Sequence, residues 1–246
     1  MKPAKPFDNV LDLIGNTPIL EITRLPTGPC RLFLKLESAN PGGSIKDRIA
    51  LFMVRDAEKK GLVKPGDTLF EATAGNTGVG LALVARQRGY KLTIVMPDKM
   101  SIEKKYCLQS MGAEVIMTRS DVTKGHPEYY QDLAESMAKE TGGFYINQFA
   151  NGANRKAHYA TTGPEIWEQL DGRVDGFVCG VGTGGTLSGA GGYLREKNPE
   201  IDIVLADPLG SILAPLVQTG EAPDEIGSWF VEGIGEDFVP DICNLD

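Results

Sequence analysis

Three times in this chain a run of β-forming residues breaks into a glycine-rich turn, and the turn opens a helix-forming stretch. The junctions are "RLFLKLESANPGGSIKDRIA" (31–50), "TLFEATAGNTGVGLALVA" (68–85) and "GFVCGVGTGGTLSGAGGYL" (176–194). Strand followed closely by helix, repeated, is the pattern of an α/β fold: a parallel-rich sheet with helices over its faces. "KLTIVMP", "AEVIMT" and "IDIVLAD" read as further strands, and "SIEKKYCLQSMG" and "PEYYQDLAESMAKETGG" as helices, the first with Gly112 as its stop. Within "DRIALFMVRDAEKKG", Ile49, Phe52, Met53 and Ala57 fall at i, i+3, i+4 and i+8, one face of a helix. Ligands of such folds bind beyond the carboxyl ends of the strands, where the glycine turns lie.

The turns differ in chemistry. Gly182–Thr186, "GTGGT", combines three residues free to take φ > 0 with two hydroxyls, between a strand and a helix start. Its N–H groups can form an anion nest, the arrangement a phosphate needs. Gly180, Gly182 and Gly185 also spell G-x-G-x-x-G, with Asp207 at the end of the following strand, so a dinucleotide fingerprint is a competing reading. In "TAGNTG", Thr73, Asn76 and Thr77 place neutral donors at a helix N-terminus, which suits a carboxylate or serves only as a helix cap.

The first turn, "NPGGSIKDR", puts Lys46 at the mouth of a helix, where the helix already carries partial positive charge. Lys46 is followed by Asp47, so the phosphate-clamping G-x-x-x-x-G-K-[ST] motif is absent. Burial and a positive helix end both favour the neutral amine that a Schiff-base lysine needs. A reactive lysine, a phosphate nest and carboxylate donors together describe a pyridoxal 5′-phosphate site handling an amino acid.

Composition removes several other classes. With 25 Lys plus Arg against 33 Asp plus Glu the net charge is −8, unsuited to a nucleic-acid backbone. The four cysteines are scattered and the histidines are two, so no metal set is expected. The longest apolar run, "VGLALVA", is too short to span a bilayer, and the first fifteen residues lack a signal-peptide core. A cytoplasmic protein with no membrane partner is the expectation.

The motifs "IGNTPI", "NPGGSIKDR", "GNTGVGLA", "TTGPEI", "GVGTGGT" and "VEGIGEDFVP", in this order and spacing, resemble those of the fold-type II pyridoxal-phosphate enzymes, specifically the cysteine synthase and cystathionine β-synthase group. The resemblance runs from about Leu11 to the C-terminus. "EGIGEDF" (232–238) and "AHYATT" (157–162) look closer to cystathionine β-synthases. It implies that Lys46 carries the cofactor, that Asn76 bonds its phenolic oxygen, and that Gly182, Thr183, Gly184, Gly185 and Thr186 hold its phosphate. Gly233 would border its ring. Thr73, Ala74 (through its N–H), Asn76, Thr77 and Gln148 would receive the substrate carboxylate, and Glu232 the second substrate's amino group.

The implied reaction is β-replacement on serine or an O-acylated serine by a thiol, through an aminoacrylate, with homocysteine giving cystathionine. Cysteine synthesis from O-acetylserine and sulfide is the alternative, and a non-catalytic amino-acid or peptide-binding homologue a second. The resemblance also implies a homodimer and two domains: 1–47 with 153–246 holding the cofactor, and 48–152 moving with the asparagine loop. Two departures stand out. Ala72 and Ala74 replace the Pro and Ser of the usual "PTSGNTG", which puts the amino donor in question. The family continues past the "EGIG" segment for several more elements, so the larger domain is expected to be C-terminally incomplete.

Overall fold

The computed structural model describes residues 6–73, 75–223 and 225–245. The chain divides into two compact units, Met1–Asn147 and Gln148–Asp246.

The first unit holds a four-stranded parallel sheet of order β5-β4-β3-β6, built from β3 (Thr68–Ala72), β4 (Lys91–Pro97), β5 (Glu114–Thr118) and β6 (Phe144–Tyr145). Nearly every residue of β3 and β4 is buried, as expected of parallel strands covered on both faces. Ala72, Val95 and Ala134 form one packed cluster, joined by Ile116, Leu133 and Met137, which seats α4 (Tyr130–Thr141) on the sheet. The chain runs from β3 outward to β4 and β5, then returns to β6 on the other side of β3. The carboxyl ends of β3 and β6 are therefore the switch point of the sheet, where a crevice forms. The segment "TAGNTG" leaves β3 there.

β2 (Leu32–Lys35) departs from the expected pattern. It pairs antiparallel with β1 (Ile19–Ile22) rather than entering the parallel sheet. The segment between β2 and α1 (Lys46–Lys59) is held by a buried polar network. Arg48, 1% exposed, donates Nε to Glu37 Oε2 at 2.7 Å and Nη2 to Glu37 Oε1 at 2.8 Å. Thr17 adds a 2.6 Å bond to the same carboxylate, and Asn40 Nδ2 a 2.9 Å bond. Asn40 Oδ1 accepts the Gly15 N–H at 2.8 Å. The fork of Arg48 meets a carboxylate at both oxygens, the geometry in which an arginine cannot be replaced by lysine. Thr17 of "IGNTPI" thus acts as part of the frame that fixes the turn before Lys46.

The second unit holds the parallel pair β7 (Gly176–Gly180) and β8 (Asp202–Ala206). Phe177 and Ile203 pack on a core of Ile166, Val174, Leu194 and Ile201. Two helical stretches carry π segments in their middles. The first runs through α5 (Gly152–Ala157), a π turn at His158–Thr162 and α6 (Gly163–Gln169). The second passes from a π turn at Leu187–Gly191 into α7 (Gly192–Lys197). They cross at glycines. A Cβ on Gly189 would stand 2.4 Å from the Arg155 carbonyl oxygen and 2.8 Å from His158 Cβ, and one on Gly163 would stand 2.8 Å from Tyr193 Cβ. Only glycine permits this approach, and π turns of this kind gather at functional sites.

Among the described residues no helix is long and apolar enough to cross a membrane, and no group of three or more His, Cys, Asp and Glu is placed to hold a metal ion.

Candidate active site

In the first unit, Lys46 is half-buried at the first position of α1, its N–H donating to Ser44 Oγ at 3.2 Å. Gly43 takes φ +81°, and its N–H donates to the Asn40 carbonyl at 2.8 Å. Asp47, fully buried, accepts the Gly42 N–H with Oδ2, while its Oδ1 has no protein partner among the described residues. A Cβ on Gly42 would fall 2.3 Å from that Oδ1, so the carboxylate and the glycine turn fit only each other.

Burial pushes the Asp47 carboxyl up to about 6 from an ordinary 3.8; the Gly42 N–H pulls it down and the Glu37 carboxylate pushes it further up. A raised folded value means that the protonated form is the better fit to the fold. The contribution is fully present below about pH 4 and is lost as pH rises through about 6. Thermal unfolding should therefore move to lower temperature as pH rises from about 4 to 6. Asp47→Asn, which keeps an acceptor for Gly42, should remove that part of the slope. An unchanged slope in the variant would show that Asp47 is not its source.

α2 (Asn76–Arg88) begins next to Lys46. A Cβ on Gly80 would stand 3.0 Å from the Lys46 carbonyl oxygen and 3.1 Å from both Ala50 Cβ and Asp47 Cα. The first turn of α1 thus packs on α2 at Gly80, its fifth residue, and Arg88 at the end of α2 meets Glu58 near the end of α1, so the two N-termini lie at the same end. Asn76 is exposed as the first residue of α2, Thr77 is buried, and Thr73 is buried with its N–H on the Val95 carbonyl at 3.1 Å. Thr73 Oγ1 accepts the Gly75 N–H at 3.2 Å. Ala74 lies outside the described residues. The structure therefore brings Lys46, Thr73, Asn76 and Thr77 together in one unit.

The other expected residues belong to the second unit. Gly182–Thr186 leaves the carboxyl end of β7 and opens the helical stretch that becomes α7. Gly184 takes φ +80° between Thr183 and Gly185, and Thr186 is already right-handed at φ −68°, ψ −52°. The N–H groups of a first helical turn have no intrahelical acceptor, so the segment offers backbone donors. Its glycines have no room for side chains. A Cβ on Gly185 would lie 2.0 Å from Asn154 Oδ1, one on Gly184 2.3 Å from Cys243 Cβ, and one on Gly182 2.6 Å from the Gly233 carbonyl oxygen. Burial pushes the Cys243 thiol up, with Ser188 pulling it down. Gly235 N–H donates to the Val181 carbonyl at 2.8 Å, which ties the segment of Glu232 and Gly233 to the end of β7. Glu232 and Gly233 are exposed, and Gln148 is buried at the start of the unit.

Two residues behind the loop escaped the sequence reading. Asn154, with no exposed surface, donates Nδ2 to the Gln148 carbonyl at 2.8 Å and to Thr183 Oγ1 at 3.0 Å. His158, 1% exposed, meets Thr162 Oγ1 with Nδ1 at 3.0 Å and Thr186 Oγ1 with Nε2 at 3.3 Å. Their i, i+4 spacing, each directly after a buried alanine (Ala153 and Ala157), puts two polar groups on one buried helical face, and that was the available signal.

These residues fit a phosphate ester: backbone donors at a helix N-terminus, a left-handed glycine that opens the nest, and two hydroxyls. The dinucleotide reading fits less well, because Asp207 Oδ2 accepts the Ala214 N–H at 2.9 Å in the first turn of α8 (Leu213–Thr219).

Comparison with known proteins agrees with the phosphate fit. A family model described as "Pyridoxal-phosphate dependent enzyme" matches residues 10–246. The chain is 45% identical over 245 residues to a cystathionine beta-synthase of Apis mellifera, covering 98% of this chain and 48% of that one. It is 46% identical over 254 residues to cysteine synthase 1 of Emericella nidulans, covering 99% and 68%. Among solved structures, an O-ureido-L-serine synthase superposes with a TM-score of 0.88 at 38% identity, over 98% of this chain and 73% of that one. The chain spans about half the length of the curated cystathionine beta-synthases it matches.

Proposed function

Because this chain belongs to the family of pyridoxal-phosphate-dependent enzymes, we propose that it performs β-replacement on serine or an O-acylated serine with a thiol, and that homocysteine, giving cystathionine, is its preferred nucleophile. The observation that carries the reading is the contact of the first turn of α1 with Gly80 of α2. It sets the amine-bearing turn of Lys46 beside a helix N-terminus suited to a substrate carboxylate. A non-catalytic binding protein would have no use for a lysine at this position, where it opposes the helix dipole.

The roles divide as follows. Lys46 Nζ would hold the cofactor's aldehyde carbon until the substrate's own amine takes its place, and the freed lysine amine would then accept the proton from substrate Cα and return it to product Cα. Thr73, Asn76 and Thr77, with Ala74 and Gln148, hold the carboxylate; Asn76 also meets the cofactor's phenolic oxygen. Gly182–Thr186 would hold the phosphate and Gly233 would border the ring. When bound, the cofactor supplies the electron sink that makes the Cα proton removable. The leaving group departs from Cβ and the thiolate adds there, so serine and homocysteine yield cystathionine and water. Closure of a movable domain over the site excludes water. The division into 1–47 with 153–246 and 48–152, the homodimer and a cytoplasmic location belong to the same proposal.

Cysteine synthesis from O-acetylserine and sulfide is the second reading, favoured by the equal similarity to a cysteine synthase. Glu232 separates the two, since homocysteine has an amino group for it to meet and sulfide has none. Glu232→Gln should lower turnover with homocysteine by about tenfold or more, the weight of a charge-assisted contact, and leave sulfide turnover within about twofold. Equal losses would remove Glu232 from nucleophile selection. The reading as a whole is tested by the visible absorption of the purified protein with pyridoxal phosphate, before and after L-serine and O-acetyl-L-serine. A cofactor band that shifts with the donor and is restored by homocysteine supports it. A protein that stays colourless overturns it.

A further inference from the structure

We propose that Asn154 and His158 are positioning residues that fix the Thr183 and Thr186 hydroxyls as proton donors into the Gly182–Thr186 loop, His158 through its Nε2-protonated tautomer. The inference rests on the reading of that loop as a phosphate site.

The argument for Asn154 begins with the Gln148 carbonyl. A carbonyl can only accept, so the Asn154 atom 2.8 Å from it is the amide nitrogen. The same nitrogen is 3.0 Å from Thr183 Oγ1, so Thr183 receives a hydrogen bond there. The Gly185 N–H points at the same oxygen from 3.5 Å. With donors on the lone-pair side, the Thr183 proton is directed elsewhere. A flipped amide would set two acceptors 2.8 Å apart. Asn154 Oδ1, without a hydrogen-bond partner among the described residues, lies where a Cβ on Gly185 would stand.

The hydroxyls at the two ring nitrogens of His158, Thr162 on Nδ1 and Thr186 on Nε2, can each donate or accept. The ligand decides. If Thr186 gave its proton to Nε2, it would turn only lone pairs toward an anion. If Nε2 carries the proton and donates to Thr186 Oγ1, the threonine keeps its own proton for the ligand. Nδ1 then accepts from Thr162, itself 2% exposed. The relay Thr162 to His158 to Thr186 runs in one direction and ends at the loop. The close approach of Gly189 to His158 brings the two helices near enough for this bond.

The direct test compares pyridoxal 5′-phosphate with pyridoxal on the full chain stripped of cofactor. Both aldehydes can reach Lys46 and only one carries the phosphate, so the ratio of affinities isolates the loop. His158→Phe should lower that ratio about tenfold, the weight of one hydrogen bond to a charged group, and Asn154→Leu should act in the same direction. His158→Gln, which keeps a donor near Nε2, should recover part of the ratio. A merely structural role would weaken both ligands alike and leave the ratio unchanged, and that result overturns the proposal. A parent chain that binds both ligands equally overturns the phosphate reading itself. Ring ¹⁵N spectra of the parent provide a readout that needs no core variant. The chain has two histidines, and His126 is exposed, so His126→Gln assigns the remaining ring to His158. A proton on Nε2 with cofactor bound is expected; a proton on Nδ1 overturns the relay.

Discussion

Lys46→Ala protein is expected to lose turnover by at least about 10³-fold, the weight of a positioned acid–base group, while unfolding at the same or a higher temperature than the parent. The two halves of this prediction come from one feature. Lys46 stands at the N-terminus of α1, where its charge opposes the helix dipole and an alanine would propagate the helix better. The bond to Ser44 Oγ is donated by the Lys46 backbone N–H and survives the change. Stability gained as activity is lost is the signature of a group kept for chemistry. Thermal unfolding and turnover on one preparation measure both. A variant that loses activity only in proportion to lost fold would show that Lys46 serves the turn.

The second large effect is expected at Gly185. In Gly185→Ala the new Cβ meets Asn154 Oδ1 at 2.0 Å and Cγ at 2.8 Å. Asn154 cannot withdraw without breaking its bonds to the Gln148 carbonyl and to Thr183. Overpacking of this kind costs about 1–3 kcal/mol, and it falls on the loop that would hold the phosphate. Affinity for pyridoxal phosphate should fall by about ten- to a hundredfold, read by titration of cofactor fluorescence. Gly192→Ala is the control on the same helical stretch: nothing lies within 4 Å of its Cβ, and binding should not change. If Gly185→Ala binds the cofactor like the parent, the loop is not its anchor.

The alternation of strands and helices was legible in the sequence because short connections and glycine stops leave few other solutions. The face Ile49, Met53 and Ala57 is buried as its spacing requires, and Phe52 is half-buried. What was not legible depends on partners distant in the chain. Ile19–Ile22 has no alternating pattern, and its antiparallel pairing turns β2 away from the parallel sheet. The role of Thr17 appears only once Glu37 and Arg48 fold onto it. On the site, Lys46 and the three glycine turns stood out as breaks in local pattern. Asn154 and His158 did not, because a buried polar residue on a helix looks like any other until the loop it supports is in place.

The most direct test of the central claim reduces the cofactor-loaded protein with borohydride and maps the peptides by mass spectrometry. A stable pyridoxyl-phosphate adduct on Lys46, and on no other lysine, is the predicted result. An adduct elsewhere, or none on a protein that visibly holds the cofactor, would contradict it.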